Sequence, residues 1–189
     1  MSLTTAPRLT ALLIDHDDSF TYNVKTWLSA RFLVDVVHHM DFKNLAEHKK
    51  YDLVVFSPGP KSPTDYPHSL KKLLNTPIDQ SILGICLGLQ MMTIAENGKV
   101  TTYSPPLHGK TSVLKSSVDA INGKKVARYH SMICQLPDAT FETIATADNS
   151  PMWVEHKTKR WMGFQFHPES FLTEDPELYL NAIVDWVST

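Results

Sequence analysis

The 189-residue sequence has only two cysteines, Cys86 and Cys134, and no excess of either charge. Two cysteines are too few to stabilise a secreted domain of this size through disulfides, so a reducing, cytoplasmic setting is expected. Eighteen basic residues stand against 20 acidic ones, a net charge of −2. This leaves no positive surplus of the kind that binds nucleic acids or acidic membranes. The expected partner is therefore a small molecule or another protein.

Long apolar runs, repeats and low-complexity tracts are also missing. The most apolar segment, residues 81–92, is broken by two glycines and a glutamine, and it is shorter than the ~20 residues that cross a bilayer. Residues 1–8 lack the apolar run of a signal peptide. Because 42% of the residues are hydrophobic, the chain can bury one core. We expect an N-terminal extension over residues 1–9 and a single domain over residues 10–189.

The first hundred residues alternate short apolar runs with amphipathic segments. The apolar runs are β-branched and continuous, which is typical of parallel strands buried on both faces. They cover residues 11–14, 34–37, 53–56 and 82–85. The predicted helices cover residues 19–32, 66–74 and 87–96, with Asp18 or Ser19 as the cap of the first. This alternation predicts an α/β fold with an open, mostly parallel, doubly wound sheet.

After Gly98 the pattern changes to short runs separated by turn residues, which is typical of antiparallel or mixed strands. The predicted strands cover residues 99–103, 111–114, 126–130, 141–147, 152–155 and 161–166. A last helix is predicted with Asp175 as its cap and Pro176 at its first position. Its apolar face, which should pack on the sheet, consists of Leu180, Ile183, Val184 and Val187.

The motif Gly84-Ile-Cys-Leu-Gly88 places a cysteine between two glycines where a buried strand meets a helix. This is the pattern of a nucleophile elbow with sulfur in place of oxygen. At a helix N-terminus the backbone N–H groups and the helix dipole favour a thiolate over a thiol. Cys86 is therefore a candidate nucleophile, and an inert buried cysteine is the alternative.

A candidate base follows in the motif Phe166-His-Pro-Glu169, where a predicted strand ends at His167. Residues two apart in an extended backbone point to the same side, so Glu169 is placed to orient His167. The chain has nine histidines, and a lone histidine is most often structural. No metal site is expected at His38 and His39, because no cysteine or carboxylate completes a metal-ligand spacing around them.

The turn Ser57-Pro-Gly-Pro60 follows the third predicted strand, at the edge where open α/β sheets bind ligands. Gly59, fixed between two prolines, presents its N–H group in a set direction, as an oxyanion hole requires. The N–H group of Leu87, the residue after the candidate nucleophile, supplies a second donor. A purely structural turn is the alternative.

Taken together and in this order, the motifs resemble those of the class I glutamine amidotransferases. Within them, they resemble the amidotransferase subunits (component II) of anthranilate synthase and of aminodeoxychorismate (para-aminobenzoate) synthase. The likeness runs from residue 12 to about residue 185, and it implies a flavodoxin-like sheet with a mixed or antiparallel C-terminal portion. The motifs that carry it are Asp15-His-Asp-Asp-Ser-Phe-Thr-Tyr-Asn23, Ser57-Pro-Gly-Pro60, Leu83-Gly-Ile-Cys-Leu-Gly88, His108-Gly-Lys110, Arg128-Tyr-His-Ser131 and Gly163-Phe-Gln-Phe-His-Pro-Glu-Ser170.

The resemblance implies a role for each matched residue. The implied catalytic residues are Cys86, His167 and Glu169. The implied oxyanion donors are Gly59 and Leu87. The residues implied to hold glutamine are Gly59, Pro60, Gln90, Ser131 and Met132. Those implied to face a partner are Asp15, Asp17, Ser19, Asn23, His108 and Lys110. No cofactor is implied.

The implied reaction is the hydrolysis of L-glutamine to glutamate and ammonia through a thioester on Cys86. The ammonia passes to a chorismate-aminating synthase subunit, component I, in tryptophan or folate biosynthesis; the sequence leaves open which synthase, or whether both, is served. Two alternatives remain. One is a free-standing cysteine hydrolase of γ-glutamyl compounds. The other is a non-catalytic stabilising subunit. The second alternative predicts that at least one of the three implied catalytic residues is missing, but all three are present.

Three positions depart from the usual motifs of these subunits. Lys61 stands where glycine is usual, which removes backbone freedom from the loop. Leu89 stands where histidine is common, and this bears on the subgroup more than on the chemistry. Met132 stands where leucine is usual, at a position expected to act through its backbone.

Overall fold

The computed structural model describes residues 8–42, 51–102 and 109–189. Most of the predicted N-terminal extension, residues 1–7, and the predicted partner residue His108 lie outside the described residues. The described helices are α1 (Thr21–Leu28), α2 (Pro67–Leu74), α3 (Leu87–Ala95) and α4 (Pro176–Ser188). The described strands are β1 (Thr10–Asp15), β2 (Leu33–His38), β3 (Leu53–Phe56), β4 (Ile82–Ile85), β5 (Lys99–Thr102), β6 (Lys110–Val113), β7 (Lys115–Ser116), β8 (Lys125–Arg128), β9 (Met132–Gln135), β10 (Phe141–Ala147), β11 (Ser150–His156) and β12 (Trp161–Phe164).

One sheet of eight strands organises the fold, in the order β2, β1, β3, β4, β12, β11, β10, β7. The five strands from β2 to β12 run parallel, and β11, β10 and β7 continue the sheet in antiparallel pairing. Two small antiparallel pairs, β5 with β9 and β6 with β8, lie outside it. The predicted α/β class with a parallel sheet and an antiparallel C-terminal portion is confirmed.

The helices cover both faces of this sheet. On one face, α1 and α4 bury Leu28 and Ile183 against the strands. On the other face, α2 and α3 bury Leu73 and Met92. Each fully buried side chain of this size stabilises the fold by about 1.5–3 kcal/mol relative to an exposed one. The sheet is therefore doubly wound, with its parallel strands buried on both sides as their continuous apolar sequences predict.

Helix α4 buries the apolar face that the sequence predicts. Leu180 and Ile183 are fully buried, and Val184 and Val187 pack against the same cluster. Asp175 stands at the predicted cap position, but it makes no side-chain cap; its carboxylate contacts Lys124 instead. No helix within the three described ranges combines the length and the apolar character needed to cross a bilayer.

Helix α1 is shorter than predicted, because it begins at Thr21 and ends at Leu28. Neither Asp18 nor Ser19 holds the cap position, which belongs to Phe20; the Asp18 carboxylate instead accepts the Phe20 N–H group at 2.7 Å. The helix stops because the chain turns back on the Leu28 carbonyl, which accepts two successive N–H groups. Asp18 therefore shapes the loop before the helix.

Strands β7 and β9 were not predicted, and β8 ends at Arg128 rather than at residue 130. Strand β7 has only two residues, too few for any pattern. Strand β9 forms only by pairing with β5, which lies some thirty residues earlier in the chain. A local pattern therefore carries little information about either strand.

Candidate active site

Cys86 occupies the sharp turn between β4 and α3. Its backbone has φ 52° and ψ −97°, a conformation that costs a non-glycine residue on the order of 1–3 kcal/mol. Its N–H group donates to the Phe164 carbonyl of β12 at 2.7 Å, and Leu87 begins α3 directly after it. The turn thus places the thiol at the carboxyl edge of the sheet and at the N-terminus of a helix, as the elbow motif predicts.

The two glycines of the elbow allow β4, α3 and the neighbouring strand β3 to approach one another closely. A Cβ atom on Gly84 would lie 2.6 Å from the carbonyl carbon of Gly88. A Cβ atom on Gly88 would lie 2.4 Å from the carbonyl oxygen of Phe56 in β3. Real Cβ atoms are not found this close to backbone atoms, so side chains at these positions would push the elbow apart.

His167 and Glu169 form a buried pair beside the elbow. His167 Nδ1 lies 2.7 Å from Glu169 Oε1, and the side chains are 3% and 0% exposed. The backbone is held on both sides, because the His167 N–H group donates to the Ala127 carbonyl and the Thr173 hydroxyl donates to the His167 carbonyl. The carboxylate therefore fixes the orientation of the imidazole.

Electrostatics favour a protonated His167. Burial lowers the pKa of His167, but the Glu169 charge and hydrogen bonding with Cys86 and Glu169 outweigh it, so the pKa lies well above its usual value. Nε2 makes no well-aligned hydrogen bond within the described chain, although Cys86 is close enough to raise the pKa. Such contacts often tighten only when substrate binds.

A cavity of about 330 Å³ opens in front of Cys86 and His167. Its size fits a small ligand. Its other lining residues are Asp18, Ser19, Phe20, Pro58, Gly59, Pro60, Lys61, Gln90, Tyr129, His130, Ser131 and Met132. All five residues predicted to hold glutamine thus line the cavity. No binding role was predicted for Asp18, Phe20, Lys61, Tyr129 or His130.

The turn at residues 57–60 is packed between His16 and Leu87. Ser57 Oγ accepts the His16 N–H group at 3.0 Å, and the Tyr66 hydroxyl donates to the His16 carbonyl at 2.9 Å. A Cβ atom on Gly59 would lie 2.2 Å from Leu87 Cδ2 and 3.2 Å from His16 Cβ. The two residues predicted as oxyanion donors, Gly59 and Leu87, are therefore direct neighbours.

His16 anchors this turn in its neutral form. Burial, and then the neighbouring His39, lower the pKa of His16 to about 3. Its Nδ1 lies 3.1 Å from Ser57 Oγ and its Nε2 lies 3.0 Å from Ser69 Oγ. A neutral ring has one donor and one acceptor nitrogen, which suits two hydroxyl partners.

Lys61 fits the loop without strain. The non-glycine residues of the described chain with a left-handed φ are Asp17, Cys86, Asn97, Asp148, Asn149 and Asp175. Lys61 is not one of them, so its position does not need the backbone freedom of glycine. Its side chain is exposed at the cavity.

A buried arginine orients the segment on the other side of the cavity. Arg128 is fully buried; its Nη1 donates to Asp148 at 2.6 Å and its Nε donates to His130 Nε2 at 3.0 Å. Because His130 Nε2 accepts, its Nδ1 carries the proton and donates to the Met132 carbonyl at 2.7 Å. Ser131 and Met132 are therefore held in place by a chain of hydrogen bonds.

Gln165 is a contact of Cys86 that sequence reasoning missed. Its Nε2 lies 3.6 Å from Cys86 Sγ, and the side chain is fully buried. Alternation along an extended segment places Gln165 and His167 on the same side of the chain, and this signal could have identified it.

Those predicted partner residues that the structure describes lie at or near the surface. Asp17, Asn23 and Lys110 are exposed, and Ser19 is exposed at the cavity rim. Asp15 is half-buried, and its carboxylate accepts hydrogen bonds from within the same loop, from the Asp17 N–H group and the Thr21 hydroxyl.

Asp17, His38 and His39 bring their ligand atoms within 4.8 Å of one another. Asp17 comes from the end of the neighbouring strand β1, so no sequence spacing indicates it. The Met40 N–H group donates to His38 Nδ1 at 3.3 Å, so a neutral His38 carries its proton on Nε2 and donates it to Asp17 at 2.8 Å. In this arrangement the three side chains form a hydrogen-bonded cluster in which both histidines contact the Asp17 carboxylate.

Two larger cavities lie away from Cys86. One, of about 420 Å³, is polar and includes Asp52 and Arg160 at the amino ends of the strands. The other, of about 510 Å³, is mostly apolar and lies between Trp153 and Leu178 of α4. Neither contains a nucleophile and base pair, so the cavity at Cys86 is the candidate active site.

Comparison with known proteins gives a family match over most of the chain. The model of the family described as glutamine amidotransferase class-I matches residues 12–186. A protein named anthranilate synthase component 2 from Lactococcus lactis subsp. lactis (strain IL1403) is 33% identical over 94% of this chain and 94% of its own length. One of the same name from Methanocaldococcus jannaschii is 35% identical over 94% of this chain and 96% of its own. A longer protein named anthranilate synthase from Azospirillum brasilense is 33% identical over 87% of this chain, and the matched region is 24% of its own length.

Solved structures share the fold at lower identity. A putative GMP synthase subunit from Thermoplasma acidophilum has a TM-score of 0.82 and 20% identity, covering 97% of this chain and 96% of that one. A glutamine amidotransferase from Thermotoga maritima has a TM-score of 0.70 and 16% identity, covering 97% of each chain. At these identities the likeness is one of architecture, and it agrees with the predicted fold class.

Proposed function

Since the chain belongs to the class I glutamine amidotransferases, we propose that it hydrolyses L-glutamine at Cys86 and delivers the ammonia to a chorismate-aminating synthase subunit. Glutamine amidotransferase activity itself follows from the family and from the relatives named anthranilate synthase component 2. We further propose which residues carry out the reaction, by what mechanism, and with which partner subunit.

One observation carries the proposal. A cysteine on a strained strand-to-helix turn lies beside a histidine that is paired with a buried glutamate, and the cysteine and the histidine line the same cavity of about 330 Å³. A nucleophile, a base and a group that orients the base are the three parts that acyl transfer through a thioester needs.

In the first half-reaction, the Cys86 thiolate attacks the carboxamide carbon of glutamine. The raised pKa of His167 supports this step, because a protonated imidazole stabilises the thiolate and then donates its proton to the departing ammonia. The C–N bond breaks, and a γ-glutamyl thioester remains on Cys86.

In the second half-reaction, neutral His167 accepts a proton from water, and the resulting hydroxide attacks the thioester. Glutamate leaves, and the thiolate and the protonated imidazole are restored. In both steps negative charge develops on the carbonyl oxygen, and we assign the N–H groups of Gly59 and Leu87 to that oxygen. The close packing of these two residues supports the assignment.

The amino-acid end of glutamine is assigned to the far wall of the cavity. Gln90, Ser131 and Met132 line it, together with Pro60 of the turn. The Arg128 and His130 hydrogen bonds support this assignment, because they hold the backbone next to Ser131 rigid. A rigid wall binds a small zwitterion with little loss of conformational entropy.

The relatives support a chorismate-using component I as the partner. Their printed names describe component 2 of anthranilate synthase, and in Azospirillum brasilense the matched region is about a quarter of one longer anthranilate synthase chain. We therefore favour anthranilate formation over aminodeoxychorismate formation. The exposed Asp17, Asn23 and Lys110 remain our candidates for the docking surface. A cytoplasmic setting is part of the proposal, since the nucleophile works only as a reduced thiol.

The test compares nitrogen sources in the complex of this chain with a chorismate-using subunit. Cys86→Ser should abolish aromatic amine formation from glutamine and leave formation from ammonium salts nearly intact. Glutamine use that persists in this variant contradicts the assignment of Cys86. The alternative, a free-standing γ-glutamyl hydrolase, predicts that the glutaminase rate of the wild-type chain does not change when the partner and chorismate are added.

A further inference from the structure

Gln165 connects the two cysteines of the chain. Its Nε2 lies 3.6 Å from Cys86 Sγ, and Cys134 Sγ lies 3.4 Å from its Oε1. The Gln165 side chain is fully buried, so water does not compete for either end of the amide. A buried amide is stable only when its polar atoms find partners, and here both ends meet sulfur.

The backbone holds Gln165 firmly beside the elbow. Its N–H group donates to the Met152 carbonyl of β11 at 2.9 Å, and the preceding Phe164 carbonyl accepts the N–H group of Cys86. Phe164 and Phe166 pack into the core cluster under α4, so Gln165 projects to the opposite side, toward Cys86.

The protonation of Cys134 fixes the orientation of the amide. Burial raises the pKa of Cys134 to about 12, so this thiol keeps its proton and acts as a donor at any working pH. The thiol also contacts the Thr93 side chain, and of the two ends of the Gln165 amide only the carbonyl oxygen, at 3.4 Å, can accept a hydrogen bond from it. The amino end of the amide is then left to face Cys86.

We propose that Gln165 is a positioning residue that stabilises the Cys86 thiolate by donating its amide N–H, while the Cys134 thiol holds the amide in this orientation. The proposal rests on the proposed function, because it takes Cys86 as the nucleophile. An N–H group donated to sulfur favours the charged form over the neutral one, and the opposite orientation of the amide would favour the neutral form.

The test measures how the alkylation rate of Cys86 by iodoacetamide depends on pH in the full-length chain, with the label located by mass spectrometry. Gln165→Met keeps the approximate volume and removes both polar ends. It should move the midpoint of the pH–rate profile upward by about one unit, a tenfold loss of thiolate. Gln80→Met is the matched control: this buried amide donates to the Tyr51 and Ser81 carbonyls and should leave the midpoint unchanged.

A second pair of variants tests the role of Cys134. Cys134→Ser keeps a hydroxyl donor for the amide oxygen and should keep the wild-type midpoint. Cys134→Val removes the donor, so the amide loses its preferred orientation and the midpoint should rise, by less than in Gln165→Met.

An unchanged or lowered midpoint in a folded Gln165→Met, checked by near-ultraviolet circular dichroism, overturns the proposal. If that variant does not fold, equal midpoints in Cys134→Ser and Cys134→Val overturn it. Alkylation requires no glutamine turnover. If the free chain shows these shifts but its complex with the synthase subunit has no glutamine-dependent activity, the result contradicts the proposed function alone.

Discussion

His167 donates from Nδ1 to a Glu169 carboxylate that is wholly excluded from solvent, over 2.7 Å. This contact determines which nitrogen faces the nucleophile, because a proton held on Nδ1 leaves Nε2 on the side of Cys86. The same contact raises the pKa of the imidazole against the effect of burial. The orientation and the charge of His167, the proposed base, thus depend on one carboxylate.

Removing the base or its carboxylate should therefore affect the rate more than substrate binding. His167→Asn should lower the glutaminase kcat by about 10²- to 10⁴-fold, which is the usual contribution of a general acid–base group. Glu169→Gln keeps an acceptor for Nδ1 but removes the charge, so the pKa of His167 should fall and the acidic limb of the kcat–pH profile should move to lower pH. Steady-state kinetics across pH check both, and a loss below tenfold in His167→Asn means that another residue is the base.

The neutral state of His16 should make the fold less stable in mild acid. The unfolded chain binds a proton at His16 below about pH 6.5, whereas the folded chain does so only near pH 3. The free energy of unfolding should therefore fall as pH drops through this window, by up to about 1.4 kcal/mol per pH unit from this group. Urea unfolding at several pH values should show a flatter dependence in His16→Asn than in wild type. The exposed His68→Asn is the control and should keep the wild-type slope.

Gly88 of the elbow should tolerate a methyl group less well than Gly163 of β12. Gly88→Ala drives a Cβ atom against the Phe56 carbonyl oxygen, a backbone atom that cannot move away. We expect a loss of about 1–3 kcal/mol in the free energy of unfolding, with a matching loss of activity. Gly163→Ala is the matched control, since the three atoms nearest to its Cβ atom would all belong to the Leu89 side chain, and the closest of them is a terminal methyl group that can move. Equal thermal midpoints for the two variants would show that the approach of β3 and α3 is not tight.

Charge reversal at the candidate docking surface should weaken the complex and leave the fold intact. Lys110→Glu replaces an exposed cation on β6 and should raise the dissociation constant for the synthase subunit severalfold, more so at low ionic strength. Lys71→Glu on α2 makes the same change at another exposed position and should have little effect. Calorimetric titration with the partner measures both. Equal affinities of the two variants would place the docking surface elsewhere.

The sequence predicts the parts of this molecule that depend on local pattern. Continuous apolar runs identify the parallel strands, because burial on both faces leaves no polar position in a run such as residues 53–56. Cys86 and its glycines are recognisable because one turn contains the whole motif. Helix α1 was predicted too long, since its apolar stripe continues to Phe32 although the chain has already turned at Leu28.

Contacts between distant segments could not be predicted in the same way. Asp17 meets His38 only because β1 and β2 are neighbours in the sheet. Arg128 is fully buried, and its partner Asp148, which accepts a hydrogen bond from the guanidinium, lies twenty residues later. Gln165 and Cys86 are 79 residues apart in the chain. In each case the fold brings the two residues into contact, and no spacing in the sequence indicates that contact.

The position of β12 beside β4 has a consequence for when activity can appear during synthesis. The proposed nucleophile, Cys86, belongs to the first half of the chain, and the proposed base, His167, follows the strand that inserts between β4 and β11. The Cys86 N–H group also depends on the Phe164 carbonyl of that strand. A nascent chain still on the ribosome with β12 inside the exit tunnel therefore carries a thiol without its base or its backbone anchor. By the proposed mechanism, such a chain cannot consume glutamine before the rest of the domain has emerged.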